Sequence, residues 1–566
     1  MSQAVTSPTT GLPELTHREI LEVLSGLLVA LLVTNMAGTV VGTALPRITA
    51  QLGASQQQYM WVVTATLLAS TASTPIWGKL ADLFNKKRLI MIGLGVFIVG
   101  SVLSGAAGTP LFLIGARAIQ GIGLGAMQAL VQAIIGTIIP PRKRGRYMAY
   151  TGAVMAIATV GGPLVGGFIV DTSWLGWRWC FWSAVPFAIA AIIILQWRLR
   201  VPYLHRKDTR VDWLGAALIT AAVSAVLIWI SFVTKDFDWL SWQTFALLGF
   251  AAVTSVAFVI TEAHVPNPII PLPILRLRVT ALAIIASIGV GVAMFGASVF
   301  LAQYFQLGRG MSPTASGLMT TPMMAGVLIS SLFIGRLVSR LGIWKPFVVA
   351  GSVLMAVGSG LMSTIDANTS LVLISCYMVV SGFGVGMLMQ NLVLAVQNSV
   401  SVHDVGAATG TVTFFRSLGG AVGIQALGFV FEKRLAHLVE TGLPDVLRQA
   451  VETDAGADPS LAPTCGALLQ DPSGLAQAGA HCPATVTVLG DMAHLQATNG
   501  GTMDMSIFHS DGFRALLFAS IADSIGRLFL IAAVIAVTAI VTVLFMKPTK
   551  LRSTLDDDDA PDRLTP

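Results

Sequence analysis

The side chains best placed to do chemistry in this chain are polar groups set inside long apolar runs. Arg117 falls between the uncharged runs 89–116 and 118–141, and Gln120 follows three residues later, on roughly the same face of a helix. Facing lipid, that arginine would be costly, so it must look into a cavity or bond the carbonyls of a neighbouring helix. Asn35, Gln303, Gln390 and Asn391 lie in other apolar runs; they are candidates for the same cavity, and each could equally be a helix–helix hydrogen bond. Asp523 is the one acid well inside an apolar run, and Arg527 stands four residues on as its expected pair. This is the chemistry of recognition rather than bond cleavage. Gly93-x-Gly95 and Gly121-x-Gly123 lie within apolar runs and make no phosphate loop, and neither an H-E-x-x-H helix nor a nucleophile elbow is present. Hydrolytic chemistry, a metal centre and a cofactor are therefore not expected.

The elements that hold these groups follow from composition. Of 566 residues, 54% are hydrophobic and 11% charged, where soluble domains carry roughly 25% charged residues. The chain reads as an all-α polytopic membrane protein. Its basic balance does not imply nucleic acid, because the lysines and arginines sit in short turns between apolar runs. The first run follows about 20 polar residues and leads directly into others, so no cleaved signal peptide is expected. Uncharged stretches of spanning length cover residues 23–46, 48–78, 89–116, 118–141, 147–170, 179–197, 213–234, 239–261, 279–308, 310–335, 346–365 and 367–402. Two more are interrupted by charge: 405–431 by Arg416, and 515–546 by Asp523 and Arg527. The expected count is fourteen helices, since lipid offers no partner to an open strand edge. Alternate loops hold eighteen and four basic residues. The richer set should be cytoplasmic, with both termini on that side.

Residues 78–88 place five charges in eleven positions. Each would cost roughly 2.5–3.5 kcal/mol at mid-bilayer, so the stretch must be a turn in water. Its pattern, Gly78-Lys79-Leu80-Ala81-Asp82 followed by Lys86-Lys87-Arg88, resembles the loop between the second and third helices of the major facilitator superfamily. Arg117-x-x-Gln120-Gly121-x-Gly123 resembles that superfamily's R-x-x-Q-G-x-G motif, and Gly162-Pro163-x-x-Gly166-Gly167 the G-P-x-x-G-G motif of its exporters. Trp177-Arg178-Trp179-Cys180-Phe181 matches its W-R-W-x-F, with Ala184 where many relatives have Asn. An extra pair of runs opening on Asp212-Trp213-Leu214-Gly215 is similar to the fourteen-span drug:proton antiporters of the EmrB/QacA type. The resemblance covers about residues 20–435 and 515–546.

It implies the major facilitator fold, two six-helix halves plus an inserted pair. The boundaries are an N-terminal segment 1–20, a first half 21–200, a linker with two helices 201–278, a second half 279–546 and a tail 547–566 carrying the acidic run 556–559. It further implies a plasma- or inner-membrane exporter of hydrophobic or amphiphilic compounds, driven by protons. Gly78, Asp82, Lys86, Lys87 and Arg88 would form a cytoplasmic gate, with Asp82 meeting the N-terminus of the thirteenth helix near Gly406. Gly162, Pro163, Gly166 and Gly167 would form an outer hinge. One departure stands out: Ala37 occupies the position of the family's first-span aspartate, which favours neutral, amphiphilic or anionic cargo. A dedicated exporter of a lipid or a single metabolite, and a non-transporting sensor or lipid enzyme, are the alternative readings.

Residues 432–512 are expected outside the cell as a polar loop with little core. Cys465 and Cys482, 17 residues apart, would meet an oxidising space there and form a disulfide. Cys180 and Cys376 lie in spans as apolar fillers.

Overall fold

The structure is a computed structural model and describes residues 17–54, 56–172, 174–199, 211–233, 237–311, 313–401, 404–457, 465, 482–497 and 508–552. Residues 1–16, linker residues 200–210, the acidic run and the Pro163 ring lie outside that description.

The described chain is helical. α1 (His17–Gln51), α2 (Gln56–Leu83), α3 (Lys86–Gly105), α4 (Pro110–Ile138), α5 (Pro141–Asp171) and the broken pair α6 (Trp179–Trp182) and α7 (Ala184–Arg198) make a first group. α8 (Trp213–Phe232) and α9 (Trp242–His264) are the inserted pair, and a short α10 (Leu272–Arg276) follows. The second group is α11 (Arg278–Leu307), the broken pair α12 (Pro313–Met319) and α13 (Thr321–Leu341), α14 (Lys345–Met362), α15 (Leu371–Ser399), α16 (Val405–Ala457), and, after the small α17 (Pro483–Ala497), α18 (Asp511–Leu544).

Thirteen helices among the described residues are long and apolar enough to cross a membrane. α2 falls short on apolarity, not length: it holds 28 residues, about 42 Å at 1.5 Å per residue. Its polarity comes from Thr64, Thr66, Ser70, Thr71, Ser73 and Thr74, all buried against protein. The Thr74 hydroxyl returns its hydrogen to the Ser70 carbonyl at 2.7 Å, the usual way a hydroxyl is tolerated in a packed membrane helix.

The two groups repeat one packing scheme. α1 lies against α5 and α7, α2 against α4, and α3 against α4 and α7. In the same order, α11 lies against α16 and α18, α13 against α15, and α14 against α15 and α18. The groups join through α2 with α16 and α5 with α13. The inserted α8 packs over the first of these seams, where Ile219, Val223 and Leu227 meet Phe414 and Ala421.

Two features depart from the sequence reading. The helix begun at Val405 does not stop near residue 431 but continues to Ala457. Val439, Leu443, Val446, Leu447 and Ala450 keep a helical stripe that packs on Val488, Phe508, Phe513 and Leu517, so this region has a core of its own. Asp454 ties α17 to it, accepting the Ala484 and Thr485 amides at 3.0 and 2.9 Å. Here Cys465 and Cys482 are bonded and fully buried. The bond closes a loop of 17 residues, worth roughly 3 kcal/mol in the chain-entropy view. Cys465→Ser should loosen this small core and leave the bundle intact. Non-reduced peptide mass spectrometry checks the bond, and alkylation of both cysteines without prior reduction would rule it out.

The second feature follows α18. Residues 547–552 lie as a strap across the end of the bundle where α2, α4, α13 and α15 finish. The Leu551 amide donates to the Gly342 carbonyl at 3.0 Å, and the Arg142 amide at the head of α5 donates to the Arg552 carbonyl at 3.0 Å. Asn398 at the end of α15 accepts the Arg552 amide at 3.0 Å and donates to the Lys550 carbonyl at 3.1 Å. The strap thus touches both halves.

Candidate functional site

The basic end of the bundle is held shut by pairs of groups from opposite halves. α2 arrives with Gly78 against the backbone of α16: a Cβ on Gly78 would lie 2.7 Å from the Gly406 carbonyl oxygen and 3.0 Å from the Gly410 Cα. One turn further on, the Asp82 carboxylate accepts the Gly406 amide at 2.8 Å and the Ala407 amide at 2.6 Å. These amides open α16 and have no partner inside the helix, and the helix dipole adds to the attraction. Lys86 faces the same carboxylate electrostatically. Asn85 caps α3 through the amides of Lys87 and Arg88, Lys87 Nζ donates to the Gln196 carbonyl at 2.6 Å, and Arg88 is exposed. Of these basic residues, Lys86 is the one seen to face Asp82.

The packing repeat predicts a counterpart of this latch, and it exists. Gly335 of α13 occupies the place of Gly78; a Cβ on its partner, Gly145 of α5, would lie 2.6 Å from the Gly335 carbonyl oxygen. Ser339, four residues after Gly335 as Asp82 is after Gly78, accepts the Arg146 amide at 3.0 Å through its hydroxyl oxygen. The first latch is charged and the second neutral. Between them sits Arg144, 1% exposed. Its guanidinium donates to the Ile139 carbonyl at 2.6 Å, the Gln397 side chain at 3.2 Å and the Gly136 carbonyl. Gln397 in turn donates to Thr409 at 2.9 Å. A sequence pattern gives no hint of Arg144, because it sits in a basic turn like any topological charge.

The other expected site residues divide. Arg117 is spent within its own half: it donates to Gln120 at 2.5 Å and to the Val62 carbonyl at 3.5 Å, beneath the Phe181 ring, and Gln120 passes on to Ser101 at 2.8 Å. Gly121 of the same motif lies against the Thr66 carbonyl of α2, and Gly123 against Phe97 of α3. The motif locks α2, α3 and α4 together. Arg117→Ala should therefore destabilise the fold, by about 2 kcal/mol for the buried acceptors left unpaired. Thermal unfolding in detergent measures this. An unchanged midpoint with cargo binding abolished would instead place Arg117 against cargo.

Asn35 and Asn391 return their amides to their own helices, at the Leu31 and Met387 carbonyls, 2.8 and 2.7 Å away. Gln303 and Gln390 keep buried polar atoms that have no hydrogen-bond partner among the described residues. Gly162 lies against Thr39 of α1, and Ile169, beyond Gly166 and Gly167, packs with Val40 and Val41 of the same helix. Asp523 corrects the sequence reading. It is exposed on α18 and pairs with Arg434 of the extended α16 at 2.9 Å, not with Arg527; the apolar run that seemed to enclose it leaves this position exposed.

A further charged cluster joins the inserted pair to the end of α2. Glu262 of α9 accepts the Ile269 and Ile270 amides at 3.1 and 3.2 Å, and Lys79 of α2 interacts with it electrostatically. Asp212 caps α8 at the Gly215 amide, 2.8 Å. All three are buried.

Comparison with known proteins follows the same lines. Residues 27–424 match the family model described as Major Facilitator Superfamily. An uncharacterized MFS-type transporter of Mycobacterium tuberculosis is 40% identical over 425 residues, 74% of this chain but 61% of that protein's length. The multidrug transporter protein MdtP of Bacillus subtilis is 32% identical over 538 residues, 94% of each chain. Among solved structures, the proton:xylose symporter XylE superposes with a TM-score of 0.54 over 94% of this chain and 97% of its own, at 14% identity.

Proposed function

The chain belongs to the major facilitator superfamily, and from that premise we propose that it is a secondary exporter of hydrophobic or amphiphilic compounds working by alternating access. The observation that carries this reading is the closed basic end. Its two seams are made of glycines in backbone contact and of amides in the early turns of α16 and α5 held by single side chains, contacts that can part as units without unfolding either half. The multidrug name of the Bacillus relative supports a drug-like cargo. In this reading α2 is the fourteenth span, both termini are cytoplasmic, and the protein resides in the plasma or inner membrane.

Protons are the proposed driving ion. Neither Ala37 nor the exposed Asp523 supplies a carboxylate to the interior, so the buried Glu262 beside Lys79 is the proposed carrier. The test uses proteoliposomes holding the purified protein and a panel of hydrophobic dyes. An imposed pH gradient should drive dye movement, and Glu262→Gln should abolish the response to the gradient. Dye fluxes equal to those of empty vesicles would overturn the exporter reading; a gradient response intact in Glu262→Gln would overturn the carrier.

A further inference from the structure

Among the described residues three helix arginines are buried, Arg117, Arg144 and Arg416, besides Arg552 in the strap. The first two are surrounded by acceptors. Arg416, in the middle third of the membrane run of α16, is not. A guanidinium carries five N–H donors, yet the one hydrogen bond formed by Arg416 among the described residues runs from Nη1 to the Met389 carbonyl at 3.4 Å. No carboxylate among the described residues lies within ion-pair distance of it.

Its neighbours are also unfinished. Gln390, next after Met389, keeps a buried Nε2 without a partner, and Gln132 of α4 a buried Oε1 without one. The two amides meet across the halves at only 3.5 Å. Gln128, one turn before Gln132, reaches Ser417 at 3.5 Å. A cation and unpaired amide atoms thus collect where α4 of one half meets α15 and α16 of the other. A buried charge left uncompensated is expensive, and unpaired buried polar groups are rare in finished interiors. The cluster is completed if an acceptor arrives from outside. A carboxylate or sulfonate matches the planar fork of an arginine in two parallel bonds, and Gln390 Nε2 offers one donor more.

We propose that Arg416, with the unpaired amides of Gln132 and Gln390 on the neighbouring helices α4 and α15, is the receptor for an acidic group on amphiphilic cargo. This rests on the exporter reading and adds the charge of the cargo to it. The apolar remainder would lie along the helices between the halves.

The test titrates the full-length protein in detergent with pyrenebutyrate and with its neutral methyl ester. The wild type should bind the acid about ten-fold more tightly than the ester, the scale of a charge-assisted bond. Arg416→Gln should bring that ratio to one through loss of acid affinity, and Arg416→Lys should keep part of it. Gln390→Leu, which leaves the charge in place, should lower the ratio and guards against misfolding of the arginine variants. Replacing chloride by gluconate separates an inorganic anion from a cargo group: acid binding that strengthens ten-fold without chloride would make this a halide site and overturn the proposal. No preference for the acid, binding of neither probe, or a preference that survives in Arg416→Gln would overturn it as well. Ester export by wild-type proteoliposomes, measured in parallel, reports on the exporter reading independently.

Discussion

Asp82→Asn should fold and insert normally, yet export at about a tenth of the wild-type rate or less. The carboxylate accepts two amides at the head of α16, at 2.8 and 2.6 Å. An asparagine offers one oxygen, and its NH2 would face the second amide donor to donor. It also surrenders the charge that the helix terminus favours. Hydrogen bonds to charged groups are worth about 1.5–3 kcal/mol, and each 1.4 kcal/mol is a tenfold change in an equilibrium. The closed basic end would lose that much relative to the open one, so the cycle would stall with the basic end open. The readouts are dye efflux and alkylation of a cysteine introduced at Thr409, which is fully buried at this end; the Cys376→Ser background removes the exposed native thiol. Efflux and protection equal to the parent would sink the latch.

Gly145→Val should be as damaging by a different route. Its Cβ would lie 2.6 Å from the Gly335 carbonyl oxygen and 3.0 Å from Ser339 Oγ. The first is backbone on a packed helix and cannot swing aside, so α5 and α13 must move apart. Charge is untouched, and each half keeps its own packing. We expect export to be lost, the Thr409→Cys probe to react several-fold faster than in the parent, and thermal stability to change little. Retained export with a protected probe would mean that the seam tolerates a wider spacing than its glycines suggest. Asp82→Asn and Gly145→Val attack opposite seams of the same closure, so the double variant should be scarcely worse than either alone.

What could be read in the sequence was whatever water or lipid enforces locally. A helix break within 78–88 and an aspartate near a helix end were visible in eleven residues, but the turn is shorter than the charges suggest: α2 runs to Leu83 and α3 starts at Lys86. The helices were visible as apolar runs, except that α16 runs on to Ala457. Its apolar stripe beyond residue 431 is interleaved with charges and looks polar on average. The roles of buried polar groups were not legible, because they depend on what lies across the bundle. Arg117 finds Val62 and Gln120, whereas Arg416 finds one carbonyl, and the two arginines look alike along the chain. Asp523 meets Arg434, 89 residues away, while the nearer Arg527 points elsewhere. Ser339 carries no signal by itself; only the repeat of the fold, with Gly335 standing for Gly78, reveals it as the counterpart of Asp82.

If the halves rock as proposed, the strap after α18 carries a mechanical load. Residues 547–552 bond the head of α5 on one side and the ends of α13 and α15 on the other, so both halves pull on the same short length of backbone whenever the basic end opens. A reporter fused just beyond Arg552 is then not a passive label. A bulky protein there adds drag to the stroke, and a small environment-sensitive fluorophore would change its signal once per turnover, timing the cycle from a position that no cargo needs to touch.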